Sequence, residues 1–593
     1  MIVTKKMSPK QILKQYYGYD EFRSGQEAII ESILSKKDTM AVMPTGTGKS
    51  LCFQIPALIF EGKSIVISPL ISLMKDQVDN LRTMDIRAAY INSSLSQEEV
   101  HLKTQEFVNG DSKILYIAPE RMKAFSFQEG VSSIEIEQVA VDEAHCVSQW
   151  GHDFRPSYQL IREFVNRLKG NPVISAFTAT ATKEVRQDIE QLLGLRQPRL
   201  FNLGIKRSNI YIEVIKGQNK RRFLENLIDK RYGESGIIYC STRKTVDEMY
   251  LYLKKKNIKI GKYHAGMESE ERKTMQESFI LEDTDIMVAT NAFGMGIDKP
   301  NIRYIVHYNM PKNLESYYQE IGRAGRDGEA SQAYLLYSEL DNRVQRFLIE
   351  RSELKDERLL SVNTKLQDMI NFCHTHECLW NSIAHYFGED VEGECKNCRN
   401  CLDENLIKSD ITIDTQKVLS CVYRMNQSYG ASTIAKVLKG SNSSKIKLKG
   451  FERLSTYGIM KEMKERDIRE LINFLSAEGY LEVSSGLYPI IKLTTQSWQV
   501  LKGKKRVFKK TSSFKHKNDQ DTRLFQELKE LRKQISLEEN VPPYIVFPDY
   551  SLREMSCLKP QTGEELLSIK GVGEKKLQKY GQKFLELIMT YKG

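Results

Sequence analysis

The feature that most constrains the fold is a rhythm that runs twice through roughly the first 340 residues. Short runs rich in β-branched residues alternate with longer amphipathic segments, which is typical of parallel sheets covered by helices. The runs predict strands at 64–68, 114–118, 138–142, 236–240, 284–290 and 302–307. We therefore expect a multidomain α/β protein whose two parallel-sheet domains meet near residue 205. Ligand sites in such sheets form where the strands end.

Beyond about residue 345 the strand runs give way to charged helical patterns. A cysteine cluster comes next, then a helical region that ends in a hairpin-like segment, and finally an all-helical segment. The expected units are 1–205 and 206–345 for the α/β domains, 346–405 for the cysteine-bearing module, 406–505 for the helix-and-hairpin module, 506–518 for a linker and 519–593 for a terminal helical bundle.

The net charge of +11 is concentrated in one segment. From Val483 to Asn518 the chain has no acidic residue and nine lysines or arginines, so that this segment carries +9 and the remainder only +2. A segment of this kind either binds nucleic acid or is a solvated linker. Both interpretations stay open at this point.

Composition and the first residues exclude several classes of protein. The 40% hydrophobic and 28% charged residues are ordinary for globular domains and disfavour disorder or collagen-like structure. No apolar run approaches the ~18 residues of a membrane span, and the polar, basic start disfavours secretion. Ten cysteines in 593 residues favour reduced thiols or metal ligands over a disulfide framework.

A glycine-rich loop follows the first apolar segment and precedes a helical one. In a phosphate-binding loop the backbone N–H groups turn toward phosphate oxygens, Lys49 pairs with the β- and γ-phosphates, and Ser50 ligates Mg²⁺. The strict pattern has glycine where this chain has Met43, so a chance glycine-rich turn is the alternative. The loop residues that would surround the phosphates are Thr45, Gly46, Thr47 and Gly48.

An acidic pair strengthens the nucleotide interpretation. Asp142 and Glu143 end an apolar strand, where Asp142 can hold Mg²⁺ and Glu143 can orient or deprotonate the attacking water. In the second domain Gln319, Arg323 and Arg326 lie in a glycine-containing segment that offers an arginine to the γ-phosphate. A finger supplied by the other domain would couple hydrolysis to closure of the cleft between the domains.

Taken in order, these motifs resemble those of the RecQ-type DNA helicases of superfamily 2, and the resemblance covers nearly the whole chain. Its most specific element is 142–156, DEAHCVSQWGHDFRP. In that family the part after the acidic motif is an aromatic-rich loop that senses single-stranded DNA and switches on ATP hydrolysis. Aromatic and guanidinium faces stack on bases. The implied DNA contacts are Ser148, Gln149, Trp150, His152, Phe154 and Arg155.

The resemblance also identifies an adenine-recognition motif near the start of the chain. Tyr19 would stack on the base and Gln26 would read its edge, with Arg23 in the same motif. In the second domain it assigns Asp298 to the nucleotide. The other family motifs are 68–77 and 118–121 for the DNA strand, 177–182 for coupling between the ATP and DNA sites, and 263–266 and 289–298 in the second domain.

Four cysteines have the spacing of a metal site. Four thiolates satisfy tetrahedral Zn²⁺, and C-x-x-C-x-x-C spacing lets one knuckle donate three ligands. An iron–sulfur cluster also uses four thiolates, and Cys373, His374 and His376 are rival ligands by proximity. Ligand chemistry and the family pattern favour a structural zinc. The predicted ligands are Cys378, Cys395, Cys398 and Cys401.

The C-terminal third resembles two further modules of that family. Residues 406–505 resemble a winged helix, in which Lys445 and Lys447 could contact duplex phosphates and 484–488 would form the wing. Residues 519–593 resemble an HRDC domain, a small helical bundle that binds single-stranded DNA weakly. Tyr544 could contact DNA there, although packing between helices explains it equally well.

The resemblance implies an ATP- and Mg²⁺-dependent DNA helicase that translocates 3′ to 5′ and acts in recombination, repair and replication. The implied partners are single-stranded, duplex or branched DNA, with a single-stranded-DNA-binding protein and a type IA topoisomerase as family expectations. We expect a cytoplasmic, nucleoid-associated protein and no membrane partner. The alternatives are an RNA helicase and a DNA-binding regulator with a degenerate ATPase.

Overall fold

The computed structural model describes most of the chain. The described residues are 7–151, 153–256, 258–294, 299–352, 356–402, 407–484, 486, 489–511, 523–539, 541–567, 569 and 571–591. Within these ranges no helix combines the length and the apolar composition that crossing a membrane requires.

The first domain is a seven-stranded, fully parallel sheet in the order β3-β4-β2-β5-β6-β1-β7. Its inner strands are buried on both faces, which explains why their sequences are continuous apolar runs rather than alternating ones. The strands are β1 (Thr39–Val42), β2 (Lys63–Ile67), β3 (Ala88–Ile91), β4 (Ile114–Ile117), β5 (Ile136–Val141), β6 (Val173–Thr178) and β7 (Arg199–Asn202).

Helices connect these strands, as right-handed parallel crossovers require. Ser96 begins one of them with a capping box that includes Glu99, and Gly110 ends it at a positive φ of 101°. The longer helices of this domain are Gln26–Leu34, Lys49–Ile59, Ile71–Thr83, Gln97–Asn109, Phe125–Ser132, Ile161–Asn166 and Lys183–Leu193.

The second domain is a six-stranded parallel sheet in the order β10-β11-β9-β12-β13-β8. Its strands are β8 (Ile210–Lys216), β9 (Ser235–Tyr239), β10 (Ile260–Tyr263), β11 (Ile286–Ala289), β12 (Ile302–His307) and β13 (Ser331–Tyr337). Its helices are Lys220–Lys230, Arg243–Lys254, Ser269–Ile280 and Leu314–Ile321. All six predicted strands and the two parallel sheets are confirmed.

The cysteine-bearing module shares its core with the second domain. Trp380 is 1% exposed, and its indole N–H donates to the Ile210 carbonyl at 3.1 Å. Ile383 and Phe387 belong to the same buried cluster as Ile212. Its helices are Glu339–Glu350, Asp356–His374, Leu379–Tyr386 and Arg399–Leu402.

The next module has its own hydrophobic core and two short antiparallel sheets. Its elements are β14 (Ile407–Asp410), helices Thr412–Arg424, Ala431–Lys439, Ser444–Leu448 and Glu465–Ala477, β15 (Leu481–Val483), β16 (Ile491–Leu493), helix Thr495–Leu501 and β17 (Phe508–Thr511). The hairpin is confirmed as β15 paired with β16, while Ser485, Leu487 and Tyr488 lie outside the described residues.

One part of the predicted linker differs from expectation. β17 pairs with β14 from Ile407 opposite Thr511 to Asp410 opposite Phe508. Val507, directly before this strand, is 1% exposed in the core of the module, and its N–H donates to the Thr412 hydroxyl at 2.9 Å. Residues 508–511, assigned to a linker from charge alone, therefore close the preceding module.

The C-terminal bundle is helical throughout its described part and has a separate core. This agrees with the predicted all-helical segment. Its helices are Arg523–Glu539, Pro543–Val546, Asp549–Leu558, Gly563–Leu567, Glu574–Lys576 and Gln582–Thr590, with one wider turn at Leu577–Gly581.

Candidate nucleotide site and nucleic-acid interface

A cavity of about 330 Å³ lies between the two α/β domains. The first domain lines it with the loop after β1 and the acidic pair after β5, because both strands end at the same edge of the sheet. The second domain adds the end of helix Leu314–Ile321 and the turn that follows. The lining residues that the sequence had singled out are Tyr19, Arg23, Gln26, Thr45, Gly46, Gly48, Lys49, Ser50, Asp142, Glu143, Gln319, Arg323 and Arg326.

The two glycines of the loop are required by close contacts. Gly46 has φ +74°, and a Cβ there would lie 2.9 Å from the Cγ of Arg326 in the other domain. Gly48 has φ +83°, and a Cβ there would lie 2.6 Å from the Nε2 of Gln26. Helix Lys49–Ile59 begins directly after the loop, so its N-terminal N–H groups face the cavity as an anion site does.

The adenine-motif residues support the loop in this structure. The Gln26 amide donates to the Thr47 carbonyl at 2.8 Å and the Gly48 carbonyl at 3.2 Å, and its oxygen accepts from the Arg23 N–H at 2.9 Å. The Arg23 guanidinium donates to the Gly46 carbonyl at 2.5 Å. Tyr19 is 42% exposed at the rim. Gln26 could therefore read a base only after leaving these backbone partners.

Lys49, Asp142 and Glu143 form what we call the cleft cluster. The Lys49 ammonium lies 3.4 Å from a Glu143 carboxylate oxygen. Burial, and then the neighbouring Glu143 carboxylate, raise the pKa of Asp142 to about 6, while Lys49 acts in the opposite direction. Two carboxylates facing one ammonium leave the cluster short of positive charge, which a divalent cation would supply.

Two features hold the acidic pair in place. Glu143 has a left-handed backbone, φ +46°, which is strained for a non-glycine residue. His145 Nδ1 lies 3.0 Å from the Thr178 hydroxyl and 3.3 Å from the second carboxylate oxygen of Glu143. Thr178 belongs to the segment predicted to couple the ATP and DNA sites, so this contact connects that segment to the acidic pair.

The arginines of the second domain occupy different positions. Arg323 is 5% exposed, and its guanidinium donates to the Gly294 carbonyl of its own domain. Arg326 packs against the first domain at Gly46. The domains also touch where the Thr45 hydroxyl donates to the Gly322 carbonyl at 2.7 Å. Of the two arginines, Arg326 contacts the phosphate loop.

Arg207 was not predicted from the sequence. It is 8% exposed and donates to the Thr45 carbonyl of the loop, and at 2.8 Å to the Gly325 carbonyl beside Arg326. It thereby joins the phosphate loop to the arginine segment. A single arginine at a domain boundary carries no motif, so no sequence signal could have identified it.

The residues fit a magnesium nucleotide. The cavity volume lies in the range of about 300–1,000 Å³ typical of ligand sites, and it combines a helix N-terminus, a lysine and carboxylates. Ser50 and Asp142 line it as hard oxygen ligands for Mg²⁺. Thr47 does not line the cavity but donates to the Pro44 carbonyl at 2.6 Å, and Asp298 lies outside the described residues.

A second cavity, of about 350 Å³, separates the aromatic-rich loop from the second domain. Gln149 and Trp150 line it together with Asn309 and Lys312. Trp150 is 43% exposed, and its carbonyl accepts a hydrogen bond from Lys365 at 2.7 Å. An exposed indole beside polar and cationic groups is suited to stacking on a base.

Other residues of the predicted DNA loop have local partners. The buried Ser148 hydroxyl donates to Asp188 at 2.6 Å and accepts from the Trp150 N–H. Arg155 pairs with Asp153 at 3.2 Å and donates to the Pro69 carbonyl at 2.8 Å. Phe154 lies under the guanidinium of Arg358 at 5.7 Å. These contacts order the loop, and His152 lies outside the described residues.

The four predicted metal ligands converge. The sulfurs of Cys378, Cys395, Cys398 and Cys401 all lie within 4.8 Å of one another. The Cys395 and Cys401 sulfurs are 3.8 Å apart, which is the edge expected of a tetrahedron with Zn–S bonds of about 2.3 Å. The thiols therefore fit zinc.

The rival ligands are engaged elsewhere. Cys373 is 1% exposed within the core shared with the second domain. His374 contacts Lys216 and Tyr337 through its two ring nitrogens, and the His376 ring packs on Phe474 with centroids 4.9 Å apart.

The predicted C-terminal contacts do not converge on either cavity. Lys445 and Lys447 are exposed on the short helix Ser444–Leu448. Tyr544 is half-buried within the bundle helix Pro543–Val546. Their position is compatible with a surface that contacts DNA outside the cleft.

Family models match the chain along most of its length. They are DEAD/DEAH box helicase at 23–188, Helicase conserved C-terminal domain at 219–328, RecQ zinc-binding at 340–402, RQC domain at 406–518 and HRDC domain at 521–588. The zinc-binding model agrees with zinc rather than an iron–sulfur cluster at the four cysteines.

Curated relatives match over nearly the full chain. The ATP-dependent DNA helicase RecQ of Bacillus subtilis (strain 168) is 45% identical over 98% of this chain and 98% of that relative. The proteins of the same description from Haemophilus influenzae and Pasteurella multocida are each 38% identical, covering 100% and 99% of this chain and 97% and 94% of the relatives.

Proposed function

Because this chain belongs to the RecQ family of ATP-dependent DNA helicases, we propose that it advances 3′ to 5′ along a DNA strand by closing and opening its interdomain cleft. The observation that carries the proposed cleft motion is that both domains line the cavity containing the phosphate loop and touch across it at Thr45 and Gly322. The 3′ to 5′ direction is what the family implies. A nucleotide held there would contact both domains, so its binding and hydrolysis would change their separation.

In the hydrolytic step the cleft cluster binds the phosphates and the attacking water, and the arginines contact the γ-phosphate. Lys49 holds the β- and γ-phosphates, and Glu143 orients the attacking water and accepts its proton. The water oxygen bonds to the γ-phosphorus as the bond to the bridging oxygen of ADP breaks. Arg326 approaches the γ-phosphate in the closed cleft, and Arg323 and Gln319 complete that side. Ser50 and Asp142 would hold Mg²⁺, which would supply positive charge to neutralise the phosphates.

Two groups of contacts would transmit DNA binding to this step. Trp150 stacks on a base of the single strand, and its loop continues directly from the acidic pair. The His145–Thr178 contact joins the acidic pair to the predicted coupling segment. A strand bound at the aromatic-rich loop would thus shift Glu143 relative to the γ-phosphate, which supports DNA-stimulated hydrolysis.

The accessory modules support the translocating core. Zinc, when bound by the four cysteines, would fix a knuckle that packs against the second domain. The winged-helix module, with Lys445 and Lys447, would hold duplex at the junction. On family grounds we further propose that the protein acts at the nucleoid in recombination and repair, with a single-stranded-DNA-binding protein and a type IA topoisomerase as partners.

Strand-displacement assays test the proposed function. Full-length protein, ATP and Mg²⁺ are supplied with DNA duplexes that carry a 3′ or a 5′ single-stranded overhang, and with the matching RNA duplexes. We expect unwinding of the 3′-overhang DNA only, and none by the Lys49→Ala variant. Preference for the 5′ overhang would contradict the polarity, and equal unwinding of RNA would contradict the assignment to DNA.

A further inference from the structure

The C-terminal bundle docks on the second domain through buried charges. Helix Arg523–Glu539 and the start of helix Asp549–Leu558 meet the segments around 282 and 299–301. Each participating side chain belongs to a residue that is at most 4% exposed. These residues, which we call the contact cluster, are Glu282, Lys299 and Asn301 of the second domain and Arg532 and Asp549 of the bundle.

Arg532 is the centre of the contact cluster. Its guanidinium donates to both oxygens of Glu282, at 2.9 and 3.2 Å, and to Asp549 at 2.7 Å. Asn301 donates its amide to Glu282 at 2.8 Å and to Asp549 at 3.1 Å. Lys299 lies 3.4 Å from Glu282. Arg532 therefore connects the bundle to Glu282, which lies 250 positions earlier in the chain.

The charges of the contact cluster balance. Burial opposes ionisation of Glu282, but Arg532 and Lys299 outweigh it and hold the pKa of Glu282 well below its usual range. The pKa of Asp549 is also lowered and that of Arg532 is raised, so both stay ionised, while burial lowers the pKa of Lys299. Removing one member would leave a buried charge unpaired, which is strongly destabilising for such a contact.

Hydrogen bonds, with a final step along the chain, lead from this cluster to the nucleotide cleft. The Asn301 carbonyl accepts from Arg303 at 3.2 Å. Arg303 is 2% exposed and binds both oxygens of Asp327, at 2.6 and 2.7 Å. Asp327 directly follows Arg326 in the chain. Both bonds come from the same guanidinium nitrogen, Nη2, and as charge-assisted hydrogen bonds they hold the Asp327 carboxylate against Arg303.

The bundle also reaches the first domain. Tyr550 follows Asp549 in the chain. Burial raises the pKa of the Tyr550 hydroxyl, and the neighbouring Tyr19 raises it further. Tyr19 lines the nucleotide cavity. The docked bundle thus lies next to the cleft at both its base end and its arginine end.

We propose that Arg532 and Arg303 are positioning residues for ATP hydrolysis, which makes docking of the C-terminal bundle a condition for full ATPase activity. Arg532 holds Glu282 and Asp549, the two carboxylates that accept from the Asn301 amide. Arg303 holds Asp327 so that Arg326 stays directed at the phosphate loop. The inference rests on the proposed role of Arg326. It assigns to the bundle a function in the ATP step in addition to DNA binding.

Steady-state kinetics of the full-length chain with saturating single-stranded DNA test this. We expect Arg532→Gln to lower kcat by about threefold to tenfold and to change KM for ATP by less than about twofold. Arg532→Lys should fall between these values because it keeps the charge but loses the fork. Lys583→Gln, which removes an exposed charge from the same bundle, is the matched control and should keep the original kcat.

A double-mutant cycle separates positioning from general destabilisation. If Arg532 and Arg303 position Arg326 through the same contacts, the Arg532→Gln/Arg303→Gln double variant should have the same kcat as the less active of the two single variants. Fold-losses that multiply would indicate independent effects and overturn the proposal. Asp549→Asn, a near-isosteric change, covers the case in which Arg532→Gln fails to fold. An unchanged kcat in the Asp549 and Arg532 variants would also overturn it.

One further variant distinguishes this inference from the proposed function. Arg326→Ala should abolish DNA-stimulated hydrolysis if Arg326 is the finger. If Arg326→Ala hydrolyses ATP normally, the finger assignment fails. If it is inactive while Arg532→Gln keeps full kcat, only the positioning inference fails.

Discussion

The cleft cluster and the contact cluster are both charged and largely shielded from solvent, yet the pKa values of their carboxyl groups are shifted in opposite directions. In the cleft, burial and Glu143 raise the pKa of Asp142 to about 6. In the contact, Arg532 and Lys299 overcome burial and hold the pKa of Glu282 well below its usual range. The difference lies in the partners, since Lys49 alone opposes burial and Glu143 at Asp142, whereas Arg532, Lys299 and Lys529 all act on Glu282.

This contrast teaches how to tell a reactive cluster from a docking one. The cleft cluster borders a cavity and lacks positive charge, so a magnesium nucleotide completes it. The residues of the contact cluster are at most 4% exposed and its carboxylates already have cationic partners, so the cluster fixes the arrangement of two modules. A cluster with shifted pKa values indicates a reactive site when it faces a cavity that a ligand of the complementary charge can enter.

The largest expected effect is on the cleft cluster alone. Glu143→Gln keeps the size of the side chain but removes the general base, so we expect kcat for ATP hydrolysis to fall by about 10²–10⁴-fold. Binding of single-stranded DNA, followed by fluorescence anisotropy, should change little, because Glu143 lies at the nucleotide. Undiminished turnover in this variant would contradict the catalytic role of the cleft cluster and with it the contrast with the contact cluster.

The second test uses pH to separate the clusters. Asp142 must be ionised to hold Mg²⁺, and its folded pKa is about 6, so protonation removes the ligand as the pH falls through this value. We expect kcat/KM for ATP to drop about tenfold per pH unit below 6, because this ratio reports the free enzyme.

The contact cluster provides the internal control for that titration. Its carboxylates keep their charge to lower pH, because the pKa of Glu282 and of Asp549 is lowered. The hydrogen-exchange protection factors near residue 282, corrected for the pH dependence of intrinsic exchange, should therefore stay constant between pH 7 and 5. A kcat/KM that is flat over this range, or bundle release that precedes the loss of activity, would contradict the assignment.

A smaller effect is expected from Trp150→Ala, which tests whether DNA acts on the cleft cluster through the aromatic-rich loop. Loss of one stacked base should raise the DNA concentration for half-maximal ATPase stimulation by about fivefold. Basal hydrolysis and KM for ATP should be unaffected, since Trp150 lines the other cavity. Unchanged stimulation would remove Trp150 from the signalling route.

The smallest effect concerns the basic segment, which contributes no residue to either cluster. Neutralising Lys502 and Lys504, both exposed, should weaken DNA binding slightly and reduce the slope of log K against log salt by at most about 0.9 per lost phosphate contact. The kcat for ATP should stay constant. Titrations at several salt concentrations measure the slope, and an altered kcat would show that the segment acts on the cleft.

Much of the nucleotide site could be predicted because its functional residues lie in short contiguous motifs. The spacing of Lys49 and Ser50 and the position of Asp142 after a strand indicated the edge of the sheet where they meet. Gln26 shows the limit of such reasoning, since its amide binds the loop backbone rather than facing the cavity with free hydrogen-bonding groups. Arg207 and Arg303 are buried single arginines whose partners lie far away in the chain, so no local pattern revealed them.

By itself the sequence determined the alternation of strands and helices, the phosphate loop, the acidic pair and the four thiols. These depend on residue type and local spacing, which set backbone preference and ligand chemistry. Only the tertiary structure decided that β17 closes the winged-helix module, that Arg326 meets Gly46 and that Arg532 joins Glu282. Those contacts depend on how separately folded units pack. A buried charge is stable only beside a partner of opposite charge, and here that partner comes from a distant part of the chain.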